Sequence, residues 1–139
     1  MKINLRLGCT VQTVNDSMNI EILEGDNVLY TGSNLDSGKL DINCTITWPS
    51  VIIIKLSNKG PDDTVVDGNG IVVNDKAIIL EELALNNFPL ELNVMEQLVD
   101  GIIYWGFNGE IKMNFTEKNP MRWLLKMKNR FNVDRLLWN

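Results

Sequence analysis

Between Asp62 and Asp75 the chain gathers six carboxylate and carboxamide side chains, Asp62, Asp63, Asp67, Asn69, Asn74 and Asp75, around Gly68 and Gly70. Calcium is a hard cation that takes roughly six to eight oxygens from carboxylates, carboxamides and backbone carbonyls. Asp62, Asp63, Asp67, Asn69 and Asp75 are therefore candidate ligands for Ca2+. Their spacing is not that of an EF-hand, which wants alternating acids closed by a Glu at the end of a ~12-residue loop. The same stretch also reads as a plain hairpin, because Asp67-Gly68 and Asn69-Gly70 are turn dipeptides between two valine-rich runs. A second group is aromatic: Trp48, Tyr104 and Trp105 are candidates for the flat faces on which a sugar ring stacks. Tyr104 and Trp105 are neighbours on a strand and so face opposite ways, which puts at most one of them in the core. Core or subunit-interface packing outweighs a sugar platform as the reading of such residues. A third group lies near the end of the sequence, where Arg122, Trp123, Lys126, Arg130 and Trp138 form a basic, aromatic tail suited to docking on an acidic partner or a second copy, or to closing the domain's own core.

Composition removes several chemistries. The chain has no histidine, so Ser-His-Asp and Cys-His triads and His-ligated zinc are absent as residue sets. Cys9 and Cys44 both lie in apolar strand-like segments and read as buried free thiols. The 18 acidic residues could supply a glycosidase pair by type, yet no spacing singles out two of them. No glycine-rich phosphate loop is present. A net charge of -5 disfavours nucleic acid as a partner. That charge is uneven: residues 110–139 carry seven basic and three acidic side chains, about +4, against about -9 for the rest. The first residues alternate polar and apolar, so no secretory signal is expected. The apolar run Val51-Ile52-Ile53-Ile54 has the length of a strand, far from the ~20 residues of a membrane span, and no membrane partner is expected.

The elements that must position these groups are strands. With 139 residues the chain fits one domain, and apolar runs punctuated by Gly, Asn and Asp recur every ~8–12 residues, as in an all-β sandwich. Ile3, Leu5 and Leu7 alternate, and so do Leu40, Ile42, Cys44, Ile46 and Trp48. Ile20–Ile22 and Val28–Thr31 read as a hairpin, Val51–Leu56 as a strand, residues 62–75 as a small hairpin, and Lys76–Leu85 as a long strand. A short strand is expected over Leu90–Val94, and Asn108-Gly109 is expected to join two strands, 102–107 and 110–115, as a hairpin. Asn119-Pro120 caps a short C-terminal helix. The expected organisation is a sandwich domain over residues 1–116 and a basic helical tail over 117–139.

Three segments carry a resemblance: Thr64 through Leu80, with its Asp67-Gly68-Asn69-Gly70 turn and Asp75-Lys76 strand; Tyr104-Trp105-Gly106-Phe107-Asn108-Gly109; and Asn119-Pro120-Met121-Arg122-Trp123. Together they look like small virion-associated proteins of tailed phages, whose sandwich domains are similar to calcium-dependent carbohydrate-binding modules. Thr64, Asp67, Gly70, Asp75 and Lys76 match that turn-and-strand pattern. The resemblance implies an antiparallel, jelly-roll-like β-sandwich without catalysis. It implies a structural subunit of a tail, fibre or baseplate, located in the virion, assembling with itself or other virion proteins and attaching to a surface polysaccharide. A stand-alone calcium-dependent carbohydrate-binding module is the alternative it leaves open.

Overall fold

The computed structural model describes residues 1–14, 18–33 and 35–127. Two antiparallel sheets enclose one core. The first has the order β10 (Tyr104–Trp105), β8 (Ala77–Leu85), β1 (Lys2–Gln12), β4 (Gly38–Thr47), with β9 (Phe88–Pro89) folded back on β8. The second has the order β11 (Gly109–Phe115), β5 (Ser50–Ser57), β2 (Asn19–Glu24), β3 (Asn27–Gly32). The chain repeatedly crosses from one sheet to the other, as in a jelly roll: β1, β4 and β8 belong to the first sheet, while the β2–β3 hairpin and β5 between them belong to the second. A separate two-stranded ribbon, β6 (Thr64–Val66) with β7 (Val72–Asp75), interrupts the path from β5 to β8.

Alternation decides which residues meet. Ile3, Leu5, Leu7, Cys9 and Val11 on β1 are buried while their neighbours face outward. Ile42, Cys44 and Ile46 on β4, Ile52, Ile54 and Leu56 on β5, and Ile111, Met113 and Phe115 on β11 complete the two inner faces. Burial pushes the Cys9 thiol up to about 12, with the Glu81 and Asp41 charges adding to it, and burial together with Glu24 takes Cys44 to about 11. Both are free thiols inside the core. On β8 the alternation slips. The pairing with β1 shifts between Gly8 and Cys9, so that Gly8 faces Glu82 and Cys9 faces Leu80. Glu81 is the extra residue of this bulge, and Glu81 and Glu82 consequently both point to solvent.

Two expected elements take another form. Leu90–Val94 is not a strand: Leu92–Leu98 is a helix, α1, which buries Val94, Met95 and Leu98. These lie at helical i, i+1, i+4 positions, a spacing with which the next residues complete an apolar stripe facing the core. Asn108-Gly109 does not join a hairpin, because β10 belongs to the first sheet and β11 to the second. The Asn108 carboxamide instead clamps the backbone of Lys59, accepting from its N–H at 3.0 Å and donating to its carbonyl at 2.8 Å. A side chain that pairs with a distant backbone like a strand neighbour fixes a crossover between sheets.

The C-terminal helix forms as the cap signal requires. Residues 120–127 are helical as far as they are described, and the Asn119 Oδ1 accepts from the backbone N–H of Met121 at 3.0 Å. No helix among the described residues is long and apolar enough to cross a membrane.

Candidate functional site

The loop end of the sandwich, where β5, the ribbon, β8 and β10 converge, brings together the Asp62–Asp75 segment and Tyr104. Asp75 is its centre. Its Oδ1 accepts from Lys59 Nζ at 2.7 Å and from Thr64 Oγ1 at 2.7 Å, and its Oδ2 accepts from the Tyr104 hydroxyl at 2.7 Å. Lys59 Nζ also donates to the carbonyl of Gly106 at 2.5 Å. The lysine and aspartate side chains are largely buried, at 12% and 15% exposure. Burial pushes the Asp75 carboxyl up, but the hydrogen bonds from Lys59, Thr64 and Tyr104 and the Lys59 charge more than offset this and hold it below its ordinary value. Burial, the hydrogen bond to Asp75 and its charge raise the Tyr104 phenol to about 12. Gly106 is what lets these groups meet: a Cβ there would come within 2.7 Å of the Tyr104 ring, 3.1 Å of Asp75 Oδ2 and 3.2 Å of Lys59 Nζ.

A second pair lies beside it. Lys76 is fully buried, its ammonium 3.4 Å from Asp63 Oδ2 and donating to the Asn58 carbonyl. The Asp63 Oδ2 also accepts from the Gly60 N–H at 2.6 Å. Backbone pairing fixes the register, since the Lys76 N–H donates to the Asp63 carbonyl at 2.9 Å.

The five expected calcium ligands therefore do not share one site. Asp63 and Asp75 each hold a lysine ammonium. Asp67 turns its Oδ1 onto the N–H groups of Asn69 and Ile71, at 2.8 and 3.0 Å, which closes the ribbon's turn. Asp62 and Asn69 are exposed, Asp62 in the short 3-10 turn Pro61–Asp63 and Asn69 at the ribbon tip. Among the described residues no three His, Cys, Asp or Glu side chains converge in a group that could hold a metal ion. The donor set does not fit a calcium ion, because the two best-buried carboxylates already have their positive charge from Lys76 and Lys59.

The aromatic candidates divide. Trp48 and Trp105 are core residues, at 2% and 0% exposure, and so present no ring face to a ligand. Their indole N–H groups donate to backbone carbonyls, Trp48 to Glu117 at 2.5 Å and Trp105 to Ile102 at 2.7 Å, which makes full burial inexpensive. Tyr104, the outward member of its pair, keeps a half-exposed ring at 45%. Trp123 is likewise buried, not a docking anchor: it closes a triad with Trp48 and Phe115, at centroid distances of 5.5 Å to each, while Trp48 and Phe115 lie 4.8 Å apart. Arg122 and Lys126 remain exposed and pair with Glu117 of the same chain, at 4.0 and 2.7 Å. Arg130 and Trp138 lie outside the described residues. Sequence reading overlooked Lys59, Asn108 and Gly106. The Asn108-Gly109 pattern reads as a turn, and nothing in the local pattern around Lys59 announces a partner on β7.

An antiparallel β-sandwich with a polar loop cluster at one end is the general class. Among solved structures the chain resembles the selenomethionine form of vCBM60, from work on two families of calcium-dependent carbohydrate-binding modules linked by circular permutation. The likeness has a TM-score of 0.51 at 10% identity and covers 81% of this chain and 90% of the other. No protein-family model and no curated protein sequence matches the chain.

Proposed function

We propose that the chain is a non-enzymatic carbohydrate-binding module that offers the Tyr104 ring to a sugar face. The observation that carries this is the combination at β10: a half-exposed aromatic ring at a loop end, immobilised through its hydroxyl by Asp75, which Lys59 and Thr64 hold in turn. A ring fixed in this way loses little side-chain entropy on binding. The likeness to a carbohydrate-binding module supports the same reading at the level of the fold. Calcium is the neighbour's requirement; here the lysine ammoniums of the cluster stand against the acids. The test is affinity electrophoresis through gels containing soluble polysaccharides. Retardation of the native chain by at least one polysaccharide, weakened in Tyr104→Ala while the variant stays folded, is the expected result. Equal retardation of the variant would remove Tyr104 from the reading, and none for either protein across a broad panel would remove the reading itself.

A second reading, a structural subunit of a phage particle, is favoured by one observation. The β6–β7 ribbon exposes Val65, Val66, Ile71, Val72 and Val73, between 40% and 61% each. A two-stranded ribbon with an aliphatic surface, paired with no further strand among the described residues, is suited to β-pairing with the ribbon of a second copy. Light-scattering mass of the full chain, compared with Val66→Lys/Val72→Lys, tests this: an oligomer that the variant dissolves supports it, and a monomer at all concentrations opposes it.

A further inference from the structure

The outward face of the first sheet carries a gap at its centre. Arg6, Gly8 and Thr10 share that face of β1, opposite the buried residues. Gly8 contributes no side chain to the row. In register with it stand Asp41 of β4 on one side and Glu82 of β8 on the other. Strands are spaced ~4.8 Å apart, so the backbones of the two acids stand about 10 Å apart, and their carboxylates lean in over Gly8 from either side. The result is a depression of about 360 Å³ lined by Arg6, Gly8, Lys39, Asp41, Glu81 and Glu82. Its walls carry two ion pairs. The bulge on β8 turns Glu81 and Glu82 outward together. Arg6 Nη2 donates to Glu82 Oε1 at 3.1 Å, and Lys39 Nζ to Glu81 Oε1 at 2.8 Å. The oxygens aimed over the floor are Glu82 Oε2 and Asp41 Oδ1, which lie 3.4 and 3.7 Å from where a Cβ on Gly8 would sit.

We propose that this slot over Gly8 is a hydroxyl-binding subsite for an uncharged saccharide. The proposal rests on the carbohydrate reading above but places binding at a different face of the domain from Tyr104. A sugar hydroxyl both donates and accepts. Glu82 Oε2 and Asp41 Oδ1 accept from hydroxyls on either side of the slot, and the Arg6 guanidinium between them donates. Hydrogen bonds with an ionised partner are the stronger kind. An acidic ligand is disfavoured by three carboxylates against two cations in the lining. A calcium ion needs roughly six to eight oxygens, whereas the slot aims two carboxylates over its floor, with a guanidinium beside them.

The test is a 15N NMR titration of the full chain with xylohexaose, cellohexaose and mannohexaose, and separately with calcium chloride. At least one neutral oligosaccharide is expected to move the amides of Arg6, Gly8, Thr10, Asp41 and Glu82. Gly8→Val should abolish these shifts, because its side chain occupies the slot. A Cβ there lies 3.1 Å from the Glu82 Cβ, so that neighbour must yield slightly, and a β-branched residue otherwise suits a strand. Glu82→Gln keeps the shape and should weaken binding about ten-fold, which tests the slot even where Gly8→Val folds poorly. Tyr104→Ala should leave the shifts at Gly8 in place. Shifts confined to residues 104–106, or full affinity in both slot variants, would overturn the subsite and leave the carbohydrate reading standing. No shift with any of the three sugars would overturn the subsite, and the same amides responding to calcium alone would reassign the slot to a cation.

Discussion

The aromatic triad and the lysine–aspartate cluster lie at opposite ends of β1, one near Lys2, which pairs with Thr47, the other near Gln12, which pairs with Ala77. Each draws distant parts of the chain together, and each buries residues that were candidates for binding. They are held by different physics. Trp48, Phe115 and Trp123 gain from contact with any apolar neighbour, and the Trp48 indole N–H is satisfied by the Glu117 carbonyl. Asp63 and Lys76 gain little net stability from being paired in the interior, because each has been taken out of water; what they impose is a penalty on any arrangement that parts them. The difference teaches that an apolar end tolerates substitution by degrees, whereas a charged one fixes which backbone segments meet.

The sharpest test of that contrast is Lys76→Met. It leaves the Asp63 carboxylate, 6% exposed, without its ammonium, and the expected loss is about 3–5 kcal/mol by urea unfolding. Lys76→Met/Asp63→Leu should recover most of it, since removing both charges removes the penalty. A double variant as unstable as the single one would mean that packing, not charge, holds this end. At the other end Trp123→Ala removes a buried indole from the triad and should cost about 3 kcal/mol, the lower part of the range for large aromatic truncations because the ring, at 7% exposure, lies at the rim of the core. That cost should be the same in low and high salt.

How far such sites could be read from sequence follows the same division. The alternation of Leu40 to Trp48 gives a strand because one face is buried, and the burial of Ile42, Cys44, Ile46 and Trp48 bears it out. The division of Tyr104 and Trp105 between outside and inside follows from the two-residue period, and the Asn119 cap from local hydrogen bonding. Three features depend on partners distant in the chain. The slip that turns Glu81 and Glu82 outward arises only when β8 meets β1. The Asn108 carboxamide finds Lys59, 49 residues away, and so leaves the hairpin that Asn-Gly would otherwise make. The lysines that hold Asp63 and Asp75 come from β8's entry and β5's exit respectively, and a lysine at a strand end reads from sequence as a solvent-facing residue. An acidic loop alone looks the same whether its countercharge is an ion or an ammonium.

A smaller effect should appear on acidification. Asp75 is held below its ordinary range in the folded chain, so it binds its proton more readily when unfolded. Its contribution is present above about pH 4, the unfolded value, and is lost as pH falls through the lower folded one. Asp75→Asn should therefore flatten the decline in stability below about pH 4 relative to the native chain. The same variant should bring the Tyr104 phenol down from about 12, read as absorbance near the phenolate band, since the hydrogen bond to Asp75 and its charge contribute to raising it. A phenol that stays put would assign its shift to burial alone.

The smallest expected effect is the one on which the cluster's nature turns. Calcium that binds only the folded chain would raise the melting temperature with concentration, adding RT ln(1 + [L]/Kd) to stability. With Lys76 against Asp63 and Lys59 against Asp75, an incoming cation must displace an ammonium that is already desolvated and tethered, and meets its positive charge. Calcium and chelator should thus leave the native melting temperature unchanged in scanning calorimetry. Lys59→Met sharpens the comparison, because it vacates the position beside Asp75 while Thr64 and Tyr104 still orient both carboxylate oxygens. If calcium then stabilises the variant but not the native chain, the lysine is the cation of this site. Stabilisation of the native chain itself would show that the acids at this end assemble around an ion after all, and the contrast between an apolar end and a self-neutralised charged end would fall.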